Sequence, residues 1–251
     1  MASLKEVKGR IASVNNTRKI TSAMKMVASA KLHKAQAAIE NMLPYERRLN
    51  HILTNFLSAG SEVESPFIVK REVKRVAIVV FASNTSLCGG FNANIIRHLT
   101  VILDEYKSLG MENVLLYPVG RKVAEGVKKL GFKAEGDFQH MADKPSYQEA
   151  AALAEDLMRR FLHRDIDKVE LLYNHFRSTA VQVLTRETYL PIDLTQEKKE
   201  KDKGRIPDYI VEPSVDVVMR ELLPKVLRMK MFTVLLDSNA SEHAALSLIH
   251  I

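Results

Sequence analysis

The apolar positions of the first fifty-seven residues fall into two columns, each repeating every seven residues. Leu4, Ile11, Leu32, Ile39 and Leu53 stand in one column, with Arg18, Lys25 and Glu46 as its charged interruptions. Val7, Val14, Thr21, Ala28, Ala35, Met42, Leu49 and Phe56 fill the other. This is the seam of a helix that packs against another helix. Between Arg10 and Gly60 there is no glycine and one proline, Pro44, and good helix formers dominate. The pattern predicts a single rod over residues 3–57, roughly 80 Å long at a rise of about 1.5 Å per residue. Such a rod must project beyond any core that the chain builds alone. Over residues 20–30, Ile20, Ala23, Met24, Met26, Val27 and Ala30 lie outside or beside the seam, so apolar surface wraps most of the helix. A helix apolar all round expects to be enclosed.

The grammar changes after Gly60 and Pro66. Residues 74–82 form a nearly unbroken apolar, β-branched run, as expected of a strand buried on both faces of a parallel sheet. A turn through residues 83–90 leads into a predicted helix over 91–109. A strand over 113–119, a helix over 121–130 and a short extended piece over 131–138 follow. Ser146, with Glu149 three residues on, reads as a capping box opening a helix that runs to His163. Residues 168–176 and 179–188 read as strands of a hairpin turning at Arg177-Ser178, the antiparallel edge of a small α/β domain. Residues 196–205 form a lysine-rich, solvated loop.

A second long helix opens at Ser214, with Pro224 near its start, and carries an apolar stripe from Val217 to Ala245. The stripe and the rod's seam each lack a partner. Folding one helix back along the other supplies both. The fold class expected is therefore α/β plus long helices: an antiparallel two-helix coiled coil made by the terminal helices, with a small Rossmann-like α/β domain inserted between them. The units are residues 1–58, 59–213 and 214–251. If residues 214–251 are all helical they span about 57 Å and cover the rod only down to about residue 20. Residues 1–19 are then expected to fray, or to be helical only through outside contacts.

Charge sharpens the reading of the rod. Residues 1–57 hold ten basic side chains and three acidic ones, while the rest of the chain is balanced, so the whole net charge of +7 belongs to the rod. An acidic partner is expected. The first twenty residues are basic, amphipathic and serine-containing, like a transit peptide, but the seam runs straight through them and they are read as rod. The sequence has no run of eighteen apolar residues to cross a membrane, and one cysteine, Cys88, which forms no internal disulfide.

Catalytic patterns are missing. Leu87-Cys88-Gly89-Gly90-Phe91-Asn92 sits between a strand and a helix, where phosphate loops occur, but has neither G-x-G-x-x-G nor a Walker lysine. It reads as a tight turn. The histidines are scattered without metal-ligand spacing, and Cys88 has no histidine beside it in sequence. No cofactor is implied. An RNA-binding arm is the alternative function, yet residues 1–40 hold no Phe, Tyr or Trp for base stacking. A small oxidoreductase or transferase lacks its glycine fingerprint.

Four ordered stretches carry a resemblance. Val7-x-x-Arg10-Ile11-x-Ser13-Val14-x-Asn16-Thr17-x-Lys19-Ile20-Thr21-x-Ala23-Met24-x-Met26-Val27-Ala28, followed by Lys31-Leu32, resembles the start of the gamma subunits of F-type ATP synthases. Leu87–Asn92 is similar to that family's glycine turn, built here on Gly89, Gly90 and Asn92. Glu212-Pro213 and residues 240–245 (ASEHAA) are similar to its later signatures. The resemblance implies a non-catalytic central shaft of a proton-translocating ATP synthase, turning inside a hexamer of alpha and beta subunits. Its base would rest with the epsilon subunit on a membrane c-ring, peripheral on the cytoplasmic face of a bacterial inner membrane. Carried over by position, Lys19, Ile20, Met24, Lys25 and Val27 fall where the shaft meets the beta subunits' acidic levers. Tyr209 and Glu212 fall near the ring. The family continues past ASEHAA as a long helix, so a C-terminal helix shorter than the family's is expected.

Overall fold

In the computed structural model, residues 3–58, 65–192 and 214–248 are described. The rod forms one helix, α1 (Leu4–Ser58), with Pro44 inside it. Strand β1 (Val76–Phe81) is buried along its whole length. Helix α2 (Phe91–Glu105) follows, then two 3₁₀ turns (Lys107–Leu109 and Met111–Asn113), strand β2 (Val114–Val119) and helix α3 (Arg121–Lys129). After them come a short helix α4 (Gln139–Asp143), helix α5 (Tyr147–Leu162), strands β3 (Lys168–Ser178) and β4 (Val181–Leu190), and helix α6 (Val215–Ser247).

The sheet order is β2-β1-β3-β4. β1 pairs in parallel with β2 and β3, and β3 pairs antiparallel with β4, so the antiparallel strand lies at the edge. Successive side chains of a strand point to opposite faces, and β1 divides accordingly. Ala77, Val79 and Phe81 enter a core shared with α5, α6 and the lower rod residues Leu49 and Leu53. Val76, Ile78, Val80 and Ala82 enter a second core with Ile95, Leu99 and Ile102 of α2 and Val123 and Val127 of α3. The unbroken apolar run is the consequence of two cores sharing one strand.

α1 and α6 pack side by side in opposite directions. Ala28 meets Leu246, and Leu32 and Ala35 meet Ala240 and Ala244. Further down, Glu46 lies beside Lys230 and Thr233, and Leu49 and Leu53 share a core with Met219, Leu223 and Leu227. As α1 numbers rise, α6 numbers fall. Above Ala28 no described residue of the rod is fully buried, and residues 3–20 are exposed throughout.

Several local expectations need correction. Residues 1–19 were expected to fray, or to be helical only through outside contacts; the helix runs from Leu4 with residues 3–20 exposed. Its start is held locally: the Glu6 N–H donates to the Ser3 hydroxyl, and Arg10 pairs with Glu6 one turn earlier at 2.8 Å. Ser146 occupies the N-cap of α5, but its side chain makes no cap hydrogen bond, and Glu149 contacts His140 at 2.6 Å instead of completing a capping box. The helix expected over 91–109 ends at Glu105 and tightens into a 3₁₀ turn. Residues 131–138 contribute a single bridge, Leu116 to Ala134, rather than an extended piece. The hairpin turns two residues later than expected, at Thr179-Ala180, because β3 continues to Ser178.

Candidate partner-binding surface and the junction at its root

The exposed part of α1 is both apolar and basic. Leu4, Val7, Ile11, Val14, Ile20, Met26 and Val27 are each at least 42% exposed, a density of uncovered apolar side chains that marks an interaction surface. Lys5, Lys8, Arg10, Arg18, Lys19 and Lys25 stand exposed on the same helix, and Glu6, its one acid above Ala28, is engaged by Arg10. From Leu4 to Val27 this surface is about 36 Å long. Ile20, Met24 and Val27 recur at spacings of four and three and share one face, with Met24 half-buried. Lys25 and Arg18, seven apart, occupy the seam column that Leu32 continues into the packed region. Lys19, Ile20, Lys25 and Val27 are exposed. Tyr209 and Glu212, Glu212-Pro213 as a whole and the lysine-rich loop over 196–205 lie outside the described residues.

Where the surface ends, the rod meets the turn read from sequence as a glycine loop. Gly89 has φ +58°, a left-handed conformation that favours glycine. Gly90 is the N-cap of α2 with ordinary φ −76°, so only Gly89 is held by backbone conformation. Asn92 ties the loop together. Its Oδ1 accepts from the Ser83 N–H at 3.0 Å, and its Nδ2 donates to the Thr85 carbonyl at 2.8 Å. Cys88 is buried with Ala28, Phe91 and Leu246, and burial pushes its thiol pKa up. A buried thiol with raised pKa is a packing group rather than a nucleophile.

The ASEHAA stretch sits against this loop. Ala240 and Ala244 are fully buried against Leu32 and Ala35 of the rod. The Ser241 hydroxyl donates to the Asn174 carbonyl of β3 at 2.8 Å, and Asn239 donates to the Ala142 carbonyl of α4 at 2.7 Å. Glu242 is 3% exposed, and its Oε1 accepts a long hydrogen bond, 3.5 Å, from the Thr85 hydroxyl. Burial, reinforced by Asp143, pushes its carboxyl up to about 7, with Lys31 and Thr85 opposing. His243 is driven the other way, to about 4, by burial and Lys31, and its Nδ1 has no hydrogen-bond partner.

Sequence reasoning located the turn but missed its supports. Gly120, with φ +110°, brings its backbone so close to β1 that a Cβ there would stand 2.2 Å from the Ala82 carbonyl oxygen. Its only signal in sequence was a glycine after a strand. Lys31, Thr85, Asp143 and Glu242 are far apart in the chain, and no local pattern joins them. Among the described residues no group of three or more His, Cys, Asp or Glu is placed to hold a metal ion, and no helix is long and apolar enough to cross a membrane.

Comparison with known proteins gives this geometry a family. The family model described as ATP synthase matches residues 3–247. An ATP synthase gamma chain of Phocaeicola vulgatus is 99% identical over 245 residues, covering 98% of this chain and 85% of that protein. One of Bacteroides fragilis is 63% identical over 249 residues, covering 99% and 86%. Among solved structures, the central stalk/c-ring of the Tetrahymena thermophila mitochondrial ATP synthase has a similar fold, with a TM-score of 0.62 at 22% identity over 91% of this chain and 96% of that one. A long basic helix anchored in a body of two cores, with a match over nearly its whole length, makes this chain a member of the ATP synthase gamma-chain family.

Proposed function

We propose that the chain is the rotor shaft of a proton-translocating ATP synthase, a subunit that performs no bond chemistry and couples ion flow to the catalytic beta subunits. The helix pair acts as an antiparallel coiled coil over residues 1–58 and 214–251, and residues 59–213 act as a Rossmann-like base. The observation that carries the reading is the contrast along α1. Below Ala28 its seam is buried by α6 and the sheet, and above it the helix offers apolar and basic side chains to solvent. A lever needs such a division, with one end fixed and the other shaped for a different protein.

In this reading Lys19, Ile20, Met24, Lys25 and Val27 meet the alpha–beta hexamer, the basic groups facing acidic loops of the beta subunits. Tyr209 and Glu212 are assigned by sequence position to contacts with the membrane c-ring and the epsilon subunit. The assembly is peripheral, on the cytoplasmic face of the membrane. The test is copurification with an alpha–beta hexamer followed by an ATPase assay. Lys25→Glu replaces an attraction by a repulsion at an exposed site, worth about 1–2 kcal/mol for the reversal, or roughly 5- to 30-fold in coupled activity. The melting of the isolated chain is expected to stay unchanged, because Lys25 is exposed there. Equal loss of melting and coupling, or no loss of coupling, would overturn the assignment.

A further inference from the structure

The two ends of the sheet face different surroundings. β1, β2 and β3 start level, with Val76 opposite Val114 and Lys168. The far end of β1 leads into the loop that meets Ala28, where the rod leaves the base. The starting end therefore points away from the rod's tip, and two turns meet there. Residues 107–113 join α2 to β2, residues 128–133 close α3, and a Cβ placed on Gly131 would stand 3.8 Å from the Met111 methyl. Leu109, Leu130 and Phe132 pack against the second core, and Asn113 Nδ2 donates to the Leu109 carbonyl at 2.8 Å, so both turns are fastened. They leave Met111 54% exposed, with Lys107, Lys128, Lys129 and Lys133 exposed on the same two turns. Arg75 adds a further positive charge through its 3.1 Å bond to Asn113 Oδ1, against the exposed acids Asp104 and Glu112, while Glu105 is held by Arg186.

We propose that these two turns are a lipid-binding surface: the lysines rest on anionic phospholipid headgroups, and Met111 enters the boundary between headgroups and acyl chains. Basic side chains around one exposed apolar group are what a peripheral membrane contact needs, because the charges are drawn to the negative surface and the apolar group gains by leaving water. Only the direction of the base, toward the membrane, is taken from the rotor reading. The tip of α1 carries the same sign of charge, but its apolar residues repeat at helix-packing positions, whereas Met111 stands on a turn outside any seam. An acidic protein loop would answer the lysines and leave Met111 without a role. Each lysine near an anionic surface contributes roughly fivefold in affinity, so the four together are worth about a hundredfold or more.

The test uses the full chain with the tip neutralised by Lys5→Gln, Lys8→Gln, Arg10→Gln, Arg18→Gln, Lys19→Gln and Lys25→Gln, exposed positions at which glutamine keeps helix propensity. This chain is expected to cosediment with vesicles of equimolar phosphatidylcholine and phosphatidylglycerol, and not with phosphatidylcholine alone. Binding should fade as salt rises from about 0.1 to 1 M, where the screening length falls from about 10 to 3 Å. Adding Lys107→Gln, Lys128→Gln, Lys129→Gln and Lys133→Gln is expected to lower the affinity roughly a hundredfold with melting unchanged, since all four side chains are exposed. The chain has no tryptophan, so Met111→Trp sets a single probe on the turn, whose emission should shift to the blue with the anionic vesicles and stay in place with polyglutamate. Equal binding to both vesicle types, binding that survives the four lysine changes, or emission unmoved by the vesicles overturns the proposal. A polyglutamate response as large as the vesicle response assigns the surface to an acidic protein and overturns it equally. Copurification with the alpha–beta hexamer reads the rotor assignment separately, and in the chain with its tip intact the four lysine changes should leave it unaffected.

Discussion

Leu53 and Ile11 occupy the same heptad column six repeats apart, so a reading by pattern alone gives them equal roles, while the structure gives them opposite ones. Leu53 is 0% exposed in the core it shares with Phe67, Leu223 and Leu227, whereas Ile11 is 56% exposed. Truncating Leu53 to alanine removes three buried carbons, about 2.4 kcal/mol of transfer free energy at roughly 0.8 per carbon. The cavity left behind raises the expected loss to about 3–4 kcal/mol. Ile11→Ala removes no burial and gains a few tenths of a kcal/mol in helix propensity, so its effect should lie within about 0.5 kcal/mol of zero. The gap of about 3 kcal/mol is read as a shift in the midpoint of urea unfolding, followed by tyrosine fluorescence because the chain has no tryptophan. In hexamer binding the order reverses: Ile11→Ala weakens association, and Leu53→Ala, where it remains folded, does not. A loss for Ile11→Ala as large as that for Leu53→Ala would refute the reasoning. It would mean that the upper seam is packed in the isolated chain, either within one molecule or, if the loss varied with protein concentration, between two.

Two further substitutions test the base. Gly120→Ala would set a Cβ against the main chain of Ala82, just past β1, at a φ of +110°, with no flexible side chain to yield, and is expected to lower the melting temperature by about 6–12 °C, corresponding to about 3 kcal/mol. Gly89→Ala, with φ +58° but nothing within 4 Å, serves as the control and should cost only about 1 kcal/mol; equal losses would show that the close approach to Ala82 is unimportant. Glu170, 2% exposed on β3, accepts from Tyr106 at 2.8 Å and pairs with Arg186 at 2.9 Å and Lys168 at 2.7 Å. Burial alone would push its carboxyl up, but Arg186, Lys168 and Tyr106 outweigh it and hold the group below the usual carboxylate range. A depressed folded value contributes stability that is fully present above the unfolded pKa near 4.3 and lost as pH falls through the folded value. Glu170→Gln is therefore expected to cost about 2–3 kcal/mol at pH 7. That cost shrinks below about pH 4, and urea unfolding that shows a difference independent of pH would contradict the ion-pair account.

The sheet was legible where burial is two-sided and local. β1 announced itself because both of its faces are covered, so no polar residue interrupts it. The antiparallel edge was legible because β3 and β4 are joined by a short turn. What failed depended on partners distant in sequence or on competition among neighbours. The Ser146–Glu149 spacing fits a capping box, but His140, nine residues upstream of Glu149, captures its carboxylate. Asn92 could be placed at the turn, though its hydrogen bonds to Ser83 and Thr85 could not be derived from spacing. Asp167 reads as an unremarkable loop acid. It accepts the Lys74 and Arg75 N–H groups at 2.9 and 3.0 Å and pairs with Arg71 at 3.0 Å, fastening the entry of β1 to that of β3 across more than ninety residues.

The three charges in the rod's first seam column carry more information together than they do singly. A charge in a seam is costly unless the facing helix answers it. Glu46 is answered within the chain, where Lys230 offsets part of the burial that raises its pKa. Arg18 and Lys25 stand above Ala28 and are exposed. An interruption that α6 compensates marks seam belonging to this chain, and one left basic and open marks seam offered to another. The change from the first kind to the second falls between Glu46 and Lys25, on the stretch where Leu32 and Ala35 pack on Ala240 and Ala244, beside Glu242. A shaft that must be rigid at its root and adaptable at its tip needs such a boundary, because what stands above it can adjust to another protein without disturbing either core of the base.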